Sequence, residues 1–222
     1  MNDSFRLGLD GVYRCDAFQE FIWQKHGFGT RCGNPEAHVT LRQIHSDRVI
    51  NAHIARRHAI EGDALVTDEA SVSIGIRTAD CVPILLLDSR NRAVAAIHAG
   101  WRGTAAQIST RTLERMAADF ESEAPDVYAA IGPCIRECCY DVDEDVARQL
   151  AAFTPASAVA ATGKQKLDLA GANHFQLRAA GLKPERIFDC ALCTRCLSEQ
   201  FYSYRRRPGE PERMLSAIAR LA

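Results

Sequence analysis

Three short segments each carry a side chain able to hold a soft or borderline metal ion: Gln43-Ile44-His45-Ser46-Asp47, Thr78-Ala79-Asp80-Cys81 and Ile97-His98-Ala99-Gly100-Trp101-Arg102-Gly103. Two imidazoles and a thiolate fill three positions of a tetrahedral zinc and leave the fourth for water or substrate, which separates a catalytic site from a structural one. The three lie far apart in the chain and no paired CxxC links them, so spacing alone leaves their convergence open.

Neighbouring residues extend the chemistry. Arg102, followed by a glycine turn and a helix start, offers an anion a guanidinium fork, backbone N–H groups and a favourable dipole. The plainer reading of Arg102 is an ordinary salt bridge. Asp80, directly before Cys81, reads as an acceptor behind the ligand, a general base, or a carboxylate that only stabilises a turn. Arg31, in Gly29-Thr30-Arg31, is a second cation for the same anion. Trp101 presents an aromatic face to a base, although large aromatics serve more often as core. Cys190, Cys193 and Cys196 recur at every third residue and Cys138 adjoins Cys139. Without a partner histidine or second CxxC at a standard interval, that pattern favours buried reduced thiols over a second metal.

Strands must position these residues. Residues 38–98 read as short strands over 39–44, 49–53, 64–67, 72–77, 82–87 and 93–98, punctuated by turn residues such as Gly62, Asp63, Asp88, Ser89 and Asn91. The run Pro83-Ile84-Leu85-Leu86-Leu87 is apolar on both faces, which predicts a central strand covered by a layer on each side. Thr104 is the expected N-cap of a helix whose inward face carries Ala105, Ile108, Thr112, Leu113, Met116 and Phe120. A strand is expected over 127–131, helices over 143–153 and 169–180, and closing strands near 187 and 214–221. The Ala-, Thr-, Ser- and Gly-rich stretch 154–166 reads as a surface loop, and Arg205-Arg206-Arg207 as a solvated or functional basic cluster.

With 222 residues and 47% hydrophobic content the chain can bury one substantial core, so 1–222 is read as a single domain. Its 27 basic and 28 acidic residues nearly cancel, which gives no electrostatic case for nucleic acid or an anionic membrane and favours a small-molecule substrate. The N-terminus shows no export signal and no apolar stretch approaches the roughly 20 residues that span a bilayer. Nine cysteines, an odd number, then fit reduced thiols in the cytoplasm.

Read together, Gln43-Ile44-His45-Ser46, Gly62-Asp63-Ala64-Leu65-Val66-Thr67-Asp68, Thr78-Ala79-Asp80-Cys81-Val82-Pro83-Ile84, His98-Ala99-Gly100-Trp101-Arg102-Gly103, Ile131-Gly132-Pro133 and Phe201-Tyr202-Ser203-Tyr204-Arg205-Arg206 closely resemble the laccase-domain purine nucleoside phosphorylase family. Members were earlier labelled polyphenol oxidases, and some are called peptidoglycan editing factors. The resemblance runs from about His26 to the C-terminus. It implies a mixed α/β (α+β) layered sandwich, with mixed β-sheets covered by helices, similar to cytotoxic necrotizing factor deamidases. It also implies zinc on His45, Cys81 and His98, phosphorolysis of adenosine, inosine, guanosine and methylthioadenosine, and deamination of adenosine. Zinc lowers the pKa of water from about 16 to about 7, which suits attack on C6 of adenine. Phosphate cradled by Arg102 suits attack on the ribose C1′. Cys134, Cys138 and Cys139 depart from the residues usual around the family's tyrosine, here Tyr140, which leaves open a redox sensitivity.

Three rival readings carry different consequences. A multicopper oxidase needs many more histidines, often in His-x-His pairs, than the seven unpaired ones here, so copper is at most an adventitious substitute for zinc. Cys81 activated by His98 would make a thiol amidase or deamidase acting on peptidoglycan precursors. A zinc with all four positions filled by protein, for instance by Cys193 joining the triad, would make a non-enzymatic interaction module.

Overall fold

The apolar run at 83–87 occupies the centre of the molecule: every residue of its strand, Val82–Asp88, is buried. In the computed structural model, which describes residues 4–55, 60–154 and 164–222, thirteen strands and six α-helices follow one another. In chain order they are β1 (Phe5–Leu7), β2 (Tyr13–Cys15), α1 (Asp16–Gln19), β3 (Gln24–Phe28), β4 (Val49–Asn51), α2 (Ala52–Ala55), β5 (Ala64–Thr67), β6 (Val72–Thr78), β7 (Val82–Asp88) and β8 (Val94–Ala99). Then come α3 (Trp101–Ala105), α4 (Ile108–Phe120), β9 (Val127–Ile131), β10 (Asp141–Val142), α5 (Glu144–Leu150), β11 (Gln165–Lys166), α6 (Leu169–Ala179), β12 (Ile187–Asp189) and β13 (Met214–Arg220).

A six-stranded sheet, ordered β12-β9-β7-β8-β5-β4, places β7 between two antiparallel neighbours; its outer pairs, β12 with β9 and β5 with β4, are parallel. A five-stranded antiparallel sheet, ordered β1-β2-β3-β13-β6, forms a second layer. Successive strand residues point to opposite faces, so β7 divides its side chains between two cores. Val82, Ile84 and Leu86 pack with Ile108, Leu113 and Met116 of α4 and Leu177 of α6. Leu85 and Leu87 pack with Phe28, Ile74, Ile76 and Ile218 of the five-stranded sheet. The covering layer expected on each side of the strand is therefore helices on one face and a sheet on the other.

Several boundaries differ from the sequence expectation. Residues 39–44 form no strand, only isolated bridges from Val39 to Ile74 and from Arg42 to Glu61. Strand β4 stops at Asn51, where the Asn51 side chain accepts the His53 N–H and α2 begins. Thr104 is not an N-cap: the helix begins earlier, behind Gly100, and Thr104 lies buried inside α3. Its carbonyl, which in a continuous helix would accept from Ile108, instead accepts from Gln107 N–H at 2.9 Å and from Gln176 Nε2 at 2.7 Å. Gln107 then turns through a left-handed conformation (φ 61°) before α4 starts. Of the loop expected over 154–166, residues 155–163 lie outside the described residues, while Gln165–Lys166 pairs antiparallel with β10.

Candidate active site

Two of the three expected metal-binding side chains sit at the boundaries of central strands. His98 is the penultimate residue of β8, Cys81 directly precedes β7, and β7 and β8 are adjacent with Pro83 opposite His98. His45 lies on the irregular segment before β4, in a left-handed conformation (φ 60°). The structure brings the three together, their donor atoms all within 4.8 Å of one another, and the two imidazoles meet edge to face at 4.9 Å. Gly100 lets the chain pass closely: a Cβ there would lie 3.0 Å from His45 Cδ2 and 3.2 Å from Cys81 Sγ.

Asp63, which the sequence presents only as a turn residue, organises this cluster. Its fully buried carboxylate accepts from His98 Nδ1 at 2.8 Å, from His45 N–H at 3.0 Å, and from both Ser46 N–H and Ser46 Oγ at 2.6 Å. Burial acts to raise its pKa, yet hydrogen bonds from His98 and Ser46 bring it down to about 2. An ionised carboxylate only accepts, so His98 carries its proton on Nδ1 and turns Nε2 outward as a donor atom, the usual arrangement behind a metal-bound histidine. Burial opposes charge on Cys81 and His98 as well. Their mutual attraction, with a hydrogen bond from His45 to the sulfur and one from His98 to Asp63, still moves the thiol pKa down and the imidazole pKa up, favouring a thiolate beside an imidazolium whose Nε2 proton a bound metal would displace. Two imidazoles and a readily ionised thiol suit a borderline metal such as zinc, and among the described residues no fourth side chain completes the group.

The cluster opens into a cavity of about 700 Å³, within the range that encloses small ligands. Arg77, Arg102, Arg205 and Arg213 line it, and among the described residues none of the four is ion-paired with a carboxylate. The Arg102 guanidinium lies 4.3 Å over the Trp101 ring, so Trp101 belongs to the cavity wall. Helix α3 has five residues, too short to add much dipole to Arg102. Arg31 is not brought to the cavity; its guanidinium stacks 4.4 Å over Tyr202. Asp80 reaches the wall in a left-handed conformation (φ 91°), with its carboxylate accepting from Thr194 Oγ1 at 2.6 Å, Ser203 Oγ at 3.0 Å and Arg205 N–H at 2.7 Å. Tyr140 also lines the cavity, its pKa raised to about 12 by burial and by the nearby Cys81 charge.

Four of the remaining cysteines do not stay apart as separate buried thiols, and Cys138 and Cys196 among them are exposed. Cys193 stands with Cys138, Cys139 and Cys196, not with the His45, Cys81 and His98 group. Cys15, Cys134 and Cys190 are individually buried.

Residues 22–221 match the family described as multi-copper polyphenol oxidoreductase laccase, and the chain belongs to that family. A Deinococcus radiodurans protein named purine nucleoside phosphorylase is 41% identical over 180 residues, covering 80% of this chain and 68% of its own length. Adenosine deaminase RL5, from an unknown prokaryotic organism, is 40% identical over 198 residues, 82% of this chain and 74% of its own. The crystal structure of YlmD from Geobacillus stearothermophilus superposes with a TM-score of 0.89 at 30% identity, covering 99% of this chain and 100% of that one.

Proposed function

We propose that this chain is a zinc-dependent purine nucleoside phosphorylase, converting adenosine, inosine, guanosine or methylthioadenosine and phosphate to free base and sugar 1-phosphate, and that it also deaminates adenosine. The convergence of His45, Cys81 and His98 beside four arginines that have no carboxylate partner among the described residues carries the reading. The relatives' names, which cover both reactions, supply the substrate class. A zinc ion held by the three side chains would supply Lewis acidity and acidify a water.

The protein's own groups do the rest. Asp63 keeps the proton on His98 Nδ1 and leaves Nε2 free as a donor. Arg102, with Arg77, Arg205 and Arg213, holds the phosphate whose oxygen attacks the ribose C1′ as the bond to the purine breaks. Tyr140 lines the cavity and stays protonated at neutral pH, so its hydroxyl is available there as a hydrogen-bond donor. Asp80, its carboxylate already accepting three hydrogen bonds, positions Cys81. Nine cysteines without a disulfide fit the cytoplasm, and among the described residues no helix is long and apolar enough to cross a membrane.

One observation favours a second reading. Asp63, His98 and Cys81 stand in the relation of a thiol hydrolase triad, as a peptidoglycan-precursor amidase or deamidase would need. His45 separates the two, since a metal needs it and a thiol triad does not. Substitution His45→Ala is expected to remove zinc and adenosine turnover together, as do Cys81→Ala and His98→Ala. Turnover that survives His45→Ala and chelation, but dies on alkylation of Cys81, contradicts the zinc enzyme.

A further inference from the structure

Strands β9 and β12 run parallel, with Asp189 opposite Ile131, so the loops that follow them leave the same end of the sheet side by side. A backbone bridge from Cys134 to Cys193 joins these loops. They bring together four cysteines that are remote in sequence. The sulfurs of Cys138, Cys139, Cys193 and Cys196 all lie within 4.8 Å of one another, and none of the four lines the nucleoside cavity. Three of the separations are 3.3 Å (Cys139 to Cys196) and 3.7 Å (Cys138 to Cys139 and Cys138 to Cys196). Zinc–sulfur bonds of about 2.3 Å place the sulfurs of a tetrahedral site about 3.8 Å apart.

We propose that Cys138, Cys139, Cys193 and Cys196 bind one structural zinc ion, distinct from the site of His45, Cys81 and His98. Four thiolates close the coordination shell, which is the arrangement of a structural site and leaves no position for substrate. Binding releases the thiol protons to solvent. Lys166, already paired with Asp141 at 2.6 Å, also donates to the Cys138 carbonyl at 3.2 Å.

The position gives the ion a purpose. Thr194 from one loop donates to the Asp80 carboxylate, and Ile135 N–H from the other donates to the Asp80 carbonyl at 2.9 Å. Both loops thus grip the residue next to Cys81, and the ion locks the loops to each other.

The decisive variant is His45→Ala/His98→Ala, which empties the catalytic group and leaves all four cysteines intact. Elemental analysis of this variant, produced with zinc supplied, is expected to give one zinc per chain against two in the wild type, with only sulfur in the zinc X-ray absorption shell. Cys193→Ser/Cys196→Ser, where it folds, is expected to lose one zinc of two. No zinc in the histidine variant overturns the proposal, as do disulfide-linked peptides among these four cysteines in the native protein.

Discussion

At the scale of single residues, the site depends on Asp63 as much as on the ligands it supports. A carboxylate between Gly62 and Ala64 looks like turn chemistry in the sequence; only the fold shows it accepting from both the His45 backbone and the His98 ring. Asp63→Asn replaces an acceptor-only group with an amide that has a donor end. It is expected to weaken zinc binding by about 10- to 100-fold, measured by competition with a metal indicator. His45, Cys81 and His98 are legible as metal-binding types, but among seven histidines and nine cysteines only the family resemblance singles them out, and the structure brings them together. Arg31 stacks on the Tyr202 ring, a placement that a guanidinium's reach does not reveal in the sequence. Among the described residues, Arg102 stands in the cavity wall without a carboxylate partner. Arg102→Ala is expected to lower kcat/KM for phosphorolysis by about 10- to 100-fold, the worth of a charged hydrogen bond, and to spare deamination. Equal loss of both activities would refute that division of labour.

At the scale of elements, strands with strong apolar runs were legible and short half-exposed ones were not. Strand β7 declared itself because all its residues are buried, whereas β1 and β2 span three residues each with little burial. The break between α3 and α4 has no sequence signal, since it arises when Asn173 and Gln176 of α6 hydrogen-bond Thr104. Strand β3 carries a histidine with its own consequence for stability. His26 is buried, accepts the Cys15 N–H at 2.9 Å through Nε2, and is brought down from its ordinary 6.5 to about 3 by burial and by the Arg14 charge. Between those values the unfolded chain binds a proton that the folded protein does not. The contribution of neutral His26 is therefore complete above about pH 6.5 and declines as pH falls toward 3. Urea unfolding at pH 7 and pH 5 is expected to show a loss of about 2 kcal/mol from this group, absent in His26→Gln. Identical pH dependence of the two proteins would contradict the assignment.

At the scale of the whole molecule, the two cores share one sheet, and the site forms where strands of that sheet end against loops from distant parts of the chain. Residues 45, 63, 81 and 98 come from four segments, and the loops around Ile135 and Thr194 reach the same point through Asp80. Spacing could not reveal this convergence, and the four-cysteine cluster stayed hidden for the same reason: its two pairs lie on loops that only the parallel pairing of β9 with β12 brings together. Nearly full-length resemblance to a known family supplied what spacing lacked. The central claim is that one zinc site runs purine nucleoside chemistry, and incubating zinc-replete protein with adenosine, with and without phosphate, tests it most directly. Adenine and ribose 1-phosphate that form only with phosphate, and inosine that forms in either case, are the expected products. Adenosine recovered unchanged under both conditions would contradict the account.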